Sequence, residues 1–161
     1  MPVPAPDYEL GQFFDLSPDL LCIAGFDGYF KRLNPSFERV LGYSGEELMS
    51  RPFLGFVHPD DVERARDAFI HLATGEDIIG FECRLVSVDG SVRWFEWNTR
   101  TLPHLGVLCG IARDVTVRSA LAEEQAALNS RFESRQLGLF ADKVASAMRS
   151  EFGGHHEKPA T

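Results

Sequence analysis

The chain changes character at Asp114-Val115-Thr116, and this change limits the folds it can adopt. Residues 106–112, just before this point, are apolar and predict a buried strand. After it, no proline or glycine occurs until Gly138, and good helix formers dominate. Asp and Thr are preferred caps, because their side chains accept hydrogen bonds from the first N–H groups of a helix. The pattern predicts a strand that runs directly into a long helix.

Charge is distributed unevenly on the two sides of this point. Residues 1–116 contain 10 Lys and Arg against 18 Asp and Glu, whereas residues 117–161 contain six of each. We expect no nucleic-acid partner, because a basic surface that would neutralise phosphates is missing from the pattern. The sequence shows neither an 18-residue apolar run nor a signal peptide, so we expect a cytoplasmic protein without a membrane partner. Cys22, Cys83 and Cys109 have no metal-ligand spacing and are expected to be buried thiols.

The first half of the chain alternates short strands and helices. Residues 7–16 predict a short helix, and two apolar runs around Asp27-Gly28 predict a hairpin. Asn34-Pro35 predicts an N-cap followed by the first residue of a helix. Ser44 and Glu47 have the spacing of a capping box.

The second half begins with a further helix and continues with strands. His58-Pro59-Asp60-Asp61 predicts the helix start, and three strands follow, the first two joined at Asp89-Gly90. Two strands, several short helices and three strands predict an α+β fold. We expect a five-stranded antiparallel sheet with short helices on one face, followed by a C-terminal amphipathic helix or helices.

Five short segments occur in a fixed order and spacing. They are Asn34-Pro35-Ser36-Phe37, residues 41–48, His58-Pro59-Asp60-Asp61, Asp89-Gly90-Ser91-Val92-Arg93-Trp94 and residues 110–116. Together they resemble the PAS family over about residues 10–116, and most of all its subgroup with HPDD and DGSxRW segments. The resemblance implies a sensory or interaction module, usually dimeric, that passes a change of state to a C-terminal helix through Asp114 and Thr116.

We expect the chain to divide into four parts. They are a leader and cap helix (1–16), a PAS domain (17–116), signalling and dimerisation helices (117–152) and a disordered tail (153–161).

The apolar space between the helices and the inner sheet face is the candidate ligand pocket. The residues expected to converge there are Phe37, Leu41, Phe69, Phe81, Cys83, Phe95, Trp97, Cys109 and Ile111. The same residues also describe a filled core, which close packing favours, so a small apolar ligand and a filled core both stay open.

Neither haem nor flavin is expected in this pocket. His71 lies about 180° from Val62 on a helical wheel, so it should face solvent rather than bind haem iron. Light-sensing LOV domains, which resemble PAS domains, require a reactive cysteine, and residues 51–56 of the matching region contain none. Noncovalent flavin stacking on Trp94 or Trp97 stays open, although aromatic pairs in strands more often pack within a core.

Trp94 should lie on the outer face of the sheet, because side chains alternate along a strand and Phe95 and Trp97 share the other parity. A large exposed aromatic is costly. We expect the helix of residues 7–16, which includes Phe13 and Phe14, and a second subunit to cover it together.

The C-terminal segment has two apolar stripes. Leu121, Leu128, Phe132 and Leu139 form the first, and Leu137, Ala141, Val144, Met148 and Phe152 form the second, about 160–180° away. The stripes exchange at Gly138, which permits one helix or two; a glycine cost of up to ~1 kcal/mol favours a break. The first stripe fits a parallel coiled coil with a second subunit, and docking on the same chain's sheet is the alternative.

The predicted function is a non-enzymatic PAS signalling module that homodimerises and binds a signalling protein. No phosphate-binding loop or nucleophile elbow occurs, and no histidine lies between Thr116 and Phe152 to accept a phosphoryl group. One alternative is a haem- or flavin-binding sensor of redox, gas or light. Another is a sensor fragment of a larger histidine kinase or cyclase, although the polar ending at 153–161 is more typical of a natural terminus.

Overall fold

The computed structural model describes residues 8–153. Its helices and strands are α1 (Tyr8–Leu16), β1 (Leu20–Gly25), β2 (Phe30–Leu33), α2 (Ser36–Leu41), α3 (Gly45–Ser50), α4 (Val62–Ala73), β3 (Ile78–Val86), β4 (Val92–Leu102), β5 (Val107–Asp114) and α5 (Thr116–Phe152). Short 3₁₀ turns occupy Phe53–Phe56, Pro59–Asp61 and Pro103–Leu105. The predicted leader (1–6) and residues 154–161 of the predicted tail lie outside the described residues.

The five strands form one antiparallel sheet in the order β2-β1-β5-β4-β3. The predicted α+β fold is confirmed. Both predicted hairpins form, and their glycines have left-handed backbones, with φ of 83° at Gly28 and 84° at Gly90. Glycine occupies these positions because a Cβ would strain them. The chain divides into two compact units after Thr116.

The core lies between the inner face of the sheet and helices α2 to α4. Phe37, Leu41 and Leu48 are almost fully buried against it, together with Phe95 of β4. Phe30 and Phe37 meet edge to face with ring centroids 5.3 Å apart. This core brings the helices that follow β2 onto one face of the sheet, as predicted.

Asn34 does not cap α2, in contrast to the prediction. Pro35 precedes the helix, and no side chain caps it. The Asn34 side chain instead accepts a hydrogen bond from the Leu21 N–H at 3.0 Å and donates to the carbonyl oxygens of Phe14 (3.1 Å) and Asp19 (2.9 Å). Asn34 is buried, and a buried amide requires such partners. It therefore holds the end of α1 to the start of β1.

Two other predicted helix starts are confirmed. The Ser44 hydroxyl accepts from the Glu47 N–H at 3.1 Å, and the Glu47 carboxylate accepts from the Ser44 N–H at 3.0 Å. His58 Nδ1 accepts from the Asp60 N–H at 3.2 Å, which gives His58 a role in the turn.

The segment after the junction is one helix of 37 residues, so the predicted break at Gly138 is wrong. At 1.5 Å per residue it is about 55 Å long. The helix formers on both sides of Gly138 each add a backbone hydrogen bond, and their sum exceeds the cost of one glycine. The first stripe is exposed along this helix, as are Leu137, Val144 and Met148 of the second. The side chain of Phe152 lies outside the described residues.

Within residues 8–153, none of the helices combines the length and the apolar character needed to cross a membrane.

Candidate functional site

A cavity of about 80 Å³ lies between the inner sheet face and the helices. Its walls are apolar side chains apart from the thiols of Cys22 and Cys83, the Thr99 hydroxyl and the Trp97 indole. A buried water needs two to four polar partners, and apolar cavities stay dry and accept apolar guests. The cavity therefore has the chemistry to receive a small, uncharged, apolar molecule.

Six of the nine predicted pocket residues line this cavity, namely Phe37, Leu41, Phe69, Phe81, Cys83 and Trp97. Phe95 is fully buried in the core but does not reach the cavity wall. The placement of Cys109 and Ile111 is wrong: both lie on the outer face, where Ile111 is 48% exposed. The reason is the register, which pairs Gly110 with Cys22 and turns Gly110 and its alternate neighbours inward.

Three small residues that the prediction did not assign to the pocket help to create its space. Ala65 and Ala68 of α4 line the cavity between larger side chains. Gly110 lines the cavity on the sheet side. A Cβ added at this position would lie 3.1 Å from Cys22 Sγ and 3.3 Å from the Trp97 ring. A small residue on an otherwise bulky buried stripe is the signal that would have identified Ala65.

The cavity thiols are neutral. Burial raises the pKa of both Cys22 and Cys83 to about 12, and for Cys83 a hydrogen bond from Trp97 opposes part of this rise. The thiolate is the reactive form of cysteine, so neither thiol is activated as a nucleophile near neutral pH. The cavity thus presents weakly polar groups rather than charges.

The cavity is small, and the expectation that neither haem nor flavin binds there stays a prediction. Pockets for drug-sized ligands have volumes of about 300–1,000 Å³, several times larger than this one. The His71 side chain is 65% exposed, with Nδ1 3.5 Å from the Glu76 carboxylate, which confirms that it faces solvent. No group of three or more His, Cys, Asp or Glu suited to a metal ion occurs between residues 8 and 153.

A buried ion pair joins the start of α4 to β3. The Arg84 guanidinium donates to both Asp61 oxygens, from Nε at 2.9 Å and from Nη2 at 2.7 Å, and the Arg84 backbone N–H donates at 2.8 Å. Asp61 is only 2% exposed. The hydrogen bonds from Arg84 are the main cause that holds the pKa of Asp61 well below its ordinary value of 3.8. Asp61 is therefore ionised, and it ties the helix to the sheet.

Trp94 lies on the outer sheet face, as predicted. It pairs with Arg84 across β3 and β4, and the guanidinium carbon is 5.0 Å from the centroid of the indole ring. This cation–π contact covers the ring from within the chain. The prediction that α1 covers Trp94 is wrong. Helix α1 instead contacts β2, where the Arg32 guanidinium carbon is 4.5 Å from the centroid of the Phe14 ring, and Phe13 is exposed.

The junction between β5 and α5 is fastened to β4 by hydrogen bonds. The Trp94 N–H donates to the Thr116 hydroxyl at 3.0 Å, and the Trp94 carbonyl accepts from the Val115 N–H at 2.8 Å. Asp114 accepts from both the N–H (3.0 Å) and the hydroxyl (2.6 Å) of Thr116, and from Arg93 at 3.1 Å. Asp114 thus serves the first turn of the helix, and Thr116 ties that turn to β4.

These contacts also set the ionisation of Asp114. Burial alone would raise the pKa of Asp114, but the hydrogen bonds from Thr116 and Arg93 outweigh it and lower the pKa below 3.8. The carboxylate stays charged and keeps accepting these bonds at neutral pH.

Comparison with known proteins agrees with this geometry. A family model described as the PAS fold matches residues 30–111. No curated protein shows a significant match to the chain.

Solved structures share the fold. A domain of a sensory box sensor histidine kinase/response regulator from Geobacter sulfurreducens is 22% identical, covers 66% of this chain and 92% of that chain, and has a TM-score of 0.60. The PAS domain of an HTR-like protein from Haloarcula marismortui is 26% identical over 66% and 95% of the two chains, with a TM-score of 0.58. An RNA-binding Light-Oxygen-Voltage receptor is 20% identical over 81% and 39%, with a TM-score of 0.66. At these identities the likeness concerns the fold.

Proposed function

This chain belongs to the PAS family, and we propose that it is a non-enzymatic sensory and protein-interaction module of bacterial-type signal transduction. The observation that carries the proposal is the position of β4. Trp97 and Thr99 on one face of this strand line the cavity, and the Trp94 backbone holds the first turn of α5. One strand therefore borders both the ligand space and the start of the output helix.

The input that suits this site is a small, neutral, apolar molecule. The cavity walls supply dispersion contacts and neutral thiols. A charged ligand in the cavity would lose its hydration and find no opposite charge to compensate for that loss. Occupancy would press against α4 through Ala65 and Phe69 and against the sheet through Trp97. Interiors are densely packed, so they shift rather than absorb such a change.

The output is the orientation or order of α5, read by a second copy of the chain and by a signalling protein. The first stripe (Leu121, Leu128, Phe132 and Leu139) is exposed in the single chain and has the spacing of coiled-coil core positions. Its segment has balanced charge, so a second copy meets no net repulsion there. A domain of a sensory box sensor histidine kinase/response regulator from Geobacter sulfurreducens has a similar fold, which supports a place for this chain in a signalling protein.

The dimer is tested with full-length chains in size-exclusion chromatography with light scattering. We expect a dimeric mass for the wild type and a monomeric mass for Leu128→Glu, because a carboxylate at a core position is desolvated without a partner. Ala126→Glu, about 160° from Leu128 on the same helix, is the matched control and should remain dimeric. A monomeric wild type would overturn the homodimer, and dimeric Leu128→Glu would place the interface elsewhere.

The junction is tested by Thr116→Ala with Thr116→Ser as its control. The alanine variant loses the hydroxyl that bonds Trp94 and Asp114, and we expect a loss of about 1 kcal/mol in the free energy of unfolding, typical of a helix cap. We also expect faster hydrogen exchange in the first turns of α5. The serine variant keeps the hydroxyl and should stay close to the wild type. Unchanged exchange and unchanged partner binding in Thr116→Ala would reduce Thr116 to an ordinary helix start.

A further inference from the structure

The Arg84 side chain contacts two different elements of the domain. Its guanidinium holds both oxygens of Asp61 at the start of α4 and lies over the ring of Trp94. The backbone of Trp94 in turn bonds Val115 and Thr116 at the start of α5. These contacts form a continuous series from a helix that lines the cavity to the output junction.

We propose that Arg84 is the positioning residue that couples α4 to the junction, through its ion pair with Asp61 and its stacking on Trp94. The proposal rests on the proposed function, in which the cavity is the input and α5 the output. A displacement of α4 moves Asp61, because Asp61 immediately precedes Val62, the first residue of that helix. Two charge-assisted hydrogen bonds in a fork make Arg84 follow the carboxylate as a unit.

On the sheet, Trp94 connects Arg84 to the junction. Arg84 and Trp94 are direct cross-strand partners, so a change in the guanidinium plane alters the contact with the indole at once. The Trp94 amide and carbonyl each bond the junction, so twisting of β4 at this residue alters both bonds together. Arg100, also on the outer face of β4, lies six residues beyond Trp94 and pairs instead with Asp77. Arg100 therefore supplies a matched control.

The experiment measures hydrogen exchange of the Val115 amide by NMR in the full-length chain. Each rate is divided by that of the Leu21 amide, bonded to Asn34 at a distance from this series, which removes the effect of global stability. We expect Asp61→Asn to raise the normalised rate roughly tenfold, the scale of a typical coupling between sites. In an Arg84→Met background the same change should have no further effect, whereas in an Arg100→Met background the tenfold rise should persist.

Trp94→Leu keeps the test informative where Arg84→Met fails to fold. It leaves the Asp61–Arg84 ion pair in place and removes the stacked ring. We expect it to abolish the effect of Asp61→Asn on Val115, and Arg84→Lys, which keeps the charge but not the planar fork, to retain only part of it. Equal tenfold effects in the wild-type, Arg84→Met and Trp94→Leu backgrounds would overturn the proposal. Light scattering on the same samples reports the dimer independently, so equal effects of Asp61→Asn in all three backgrounds of a dimeric chain would contradict this inference and leave the proposed homodimer standing.

Discussion

Replacing Asp61 by Asn should lower the free energy of unfolding at pH 7 by about 3 kcal/mol, the lower end of the range for breaking a buried ion pair. The lower end applies because the Arg84 side chain keeps 26% of its surface exposed and can recover some hydration. The asparagine amide accepts on one side only, and its NH₂ group opposes a donor of Arg84. Urea denaturation monitored by circular dichroism measures the loss.

The same variant has a characteristic dependence on pH. The pKa of Asp61 is lowered in the folded chain, so ionised Asp61 stabilises the fold. This contribution to the free energy of unfolding is complete above the ordinary pKa of 3.8 and is lost as the pH falls below that value. The difference between wild type and Asp61→Asn should therefore narrow as the pH falls below about 4.

Asp60→Asn is the matched control for this prediction. Its side chain is 75% exposed and lies 4.0 Å from Arg84, so we expect a change within ~0.5 kcal/mol. Similar losses in the two variants would show that the ion pair is not what fastens α4 to the sheet.

Phe37→Ala should cost about 3–5 kcal/mol, as expected for a large aromatic removed from a close-packed core. Phe37 is 1% exposed and lies on the cavity wall, so truncation enlarges an existing space instead of opening a separate one. The enlarged cavity should bind benzene, because apolar cavities of about 150 Å³ do so in other proteins. Benzene should then raise the melting temperature of the variant by mass action.

Leu105→Ala controls for the loss of an apolar side chain outside the core. Leu105 is 63% exposed, so its truncation should leave stability and the response to benzene close to the wild type. Differential scanning calorimetry with and without benzene compares the three proteins. An equal benzene shift in all three would place the binding outside the cavity and argue against its role as the ligand site.

The elements that local chemistry specifies were predictable from the sequence. The Asp27-Gly28 and Asp89-Gly90 turns require a left-handed backbone at glycine, and Ser44 and Glu47 satisfy each other's backbone within one turn. The position of Trp94 followed from strand alternation alone. In each case the stabilising interaction is local or depends only on the parity of a strand.

The errors arose where a distant segment decides the outcome. Asn is a common helix cap, but the side-chain amide of Asn34 is buried because it bonds the Leu21 N–H and the Asp19 carbonyl oxygen. Cys109 and Ile111 face outward because the register with β1 turns Gly110 toward Cys22. Gly138 was expected to break a helix, but the cost of one glycine is small beside the helix on either side.

By itself, the sequence determined the order of the elements, the sites of the turns and the strand-to-helix junction at Asp114-Val115-Thr116. These follow from backbone propensities and hydrophobic period, which act over a few residues. Only the tertiary structure decided that Asp61, Arg84 and Trp94 meet and that Trp94 holds the junction. Those contacts join residues far apart in the chain, and the packing of α4 against the sheet and the pairing of β3 with β4 bring them together.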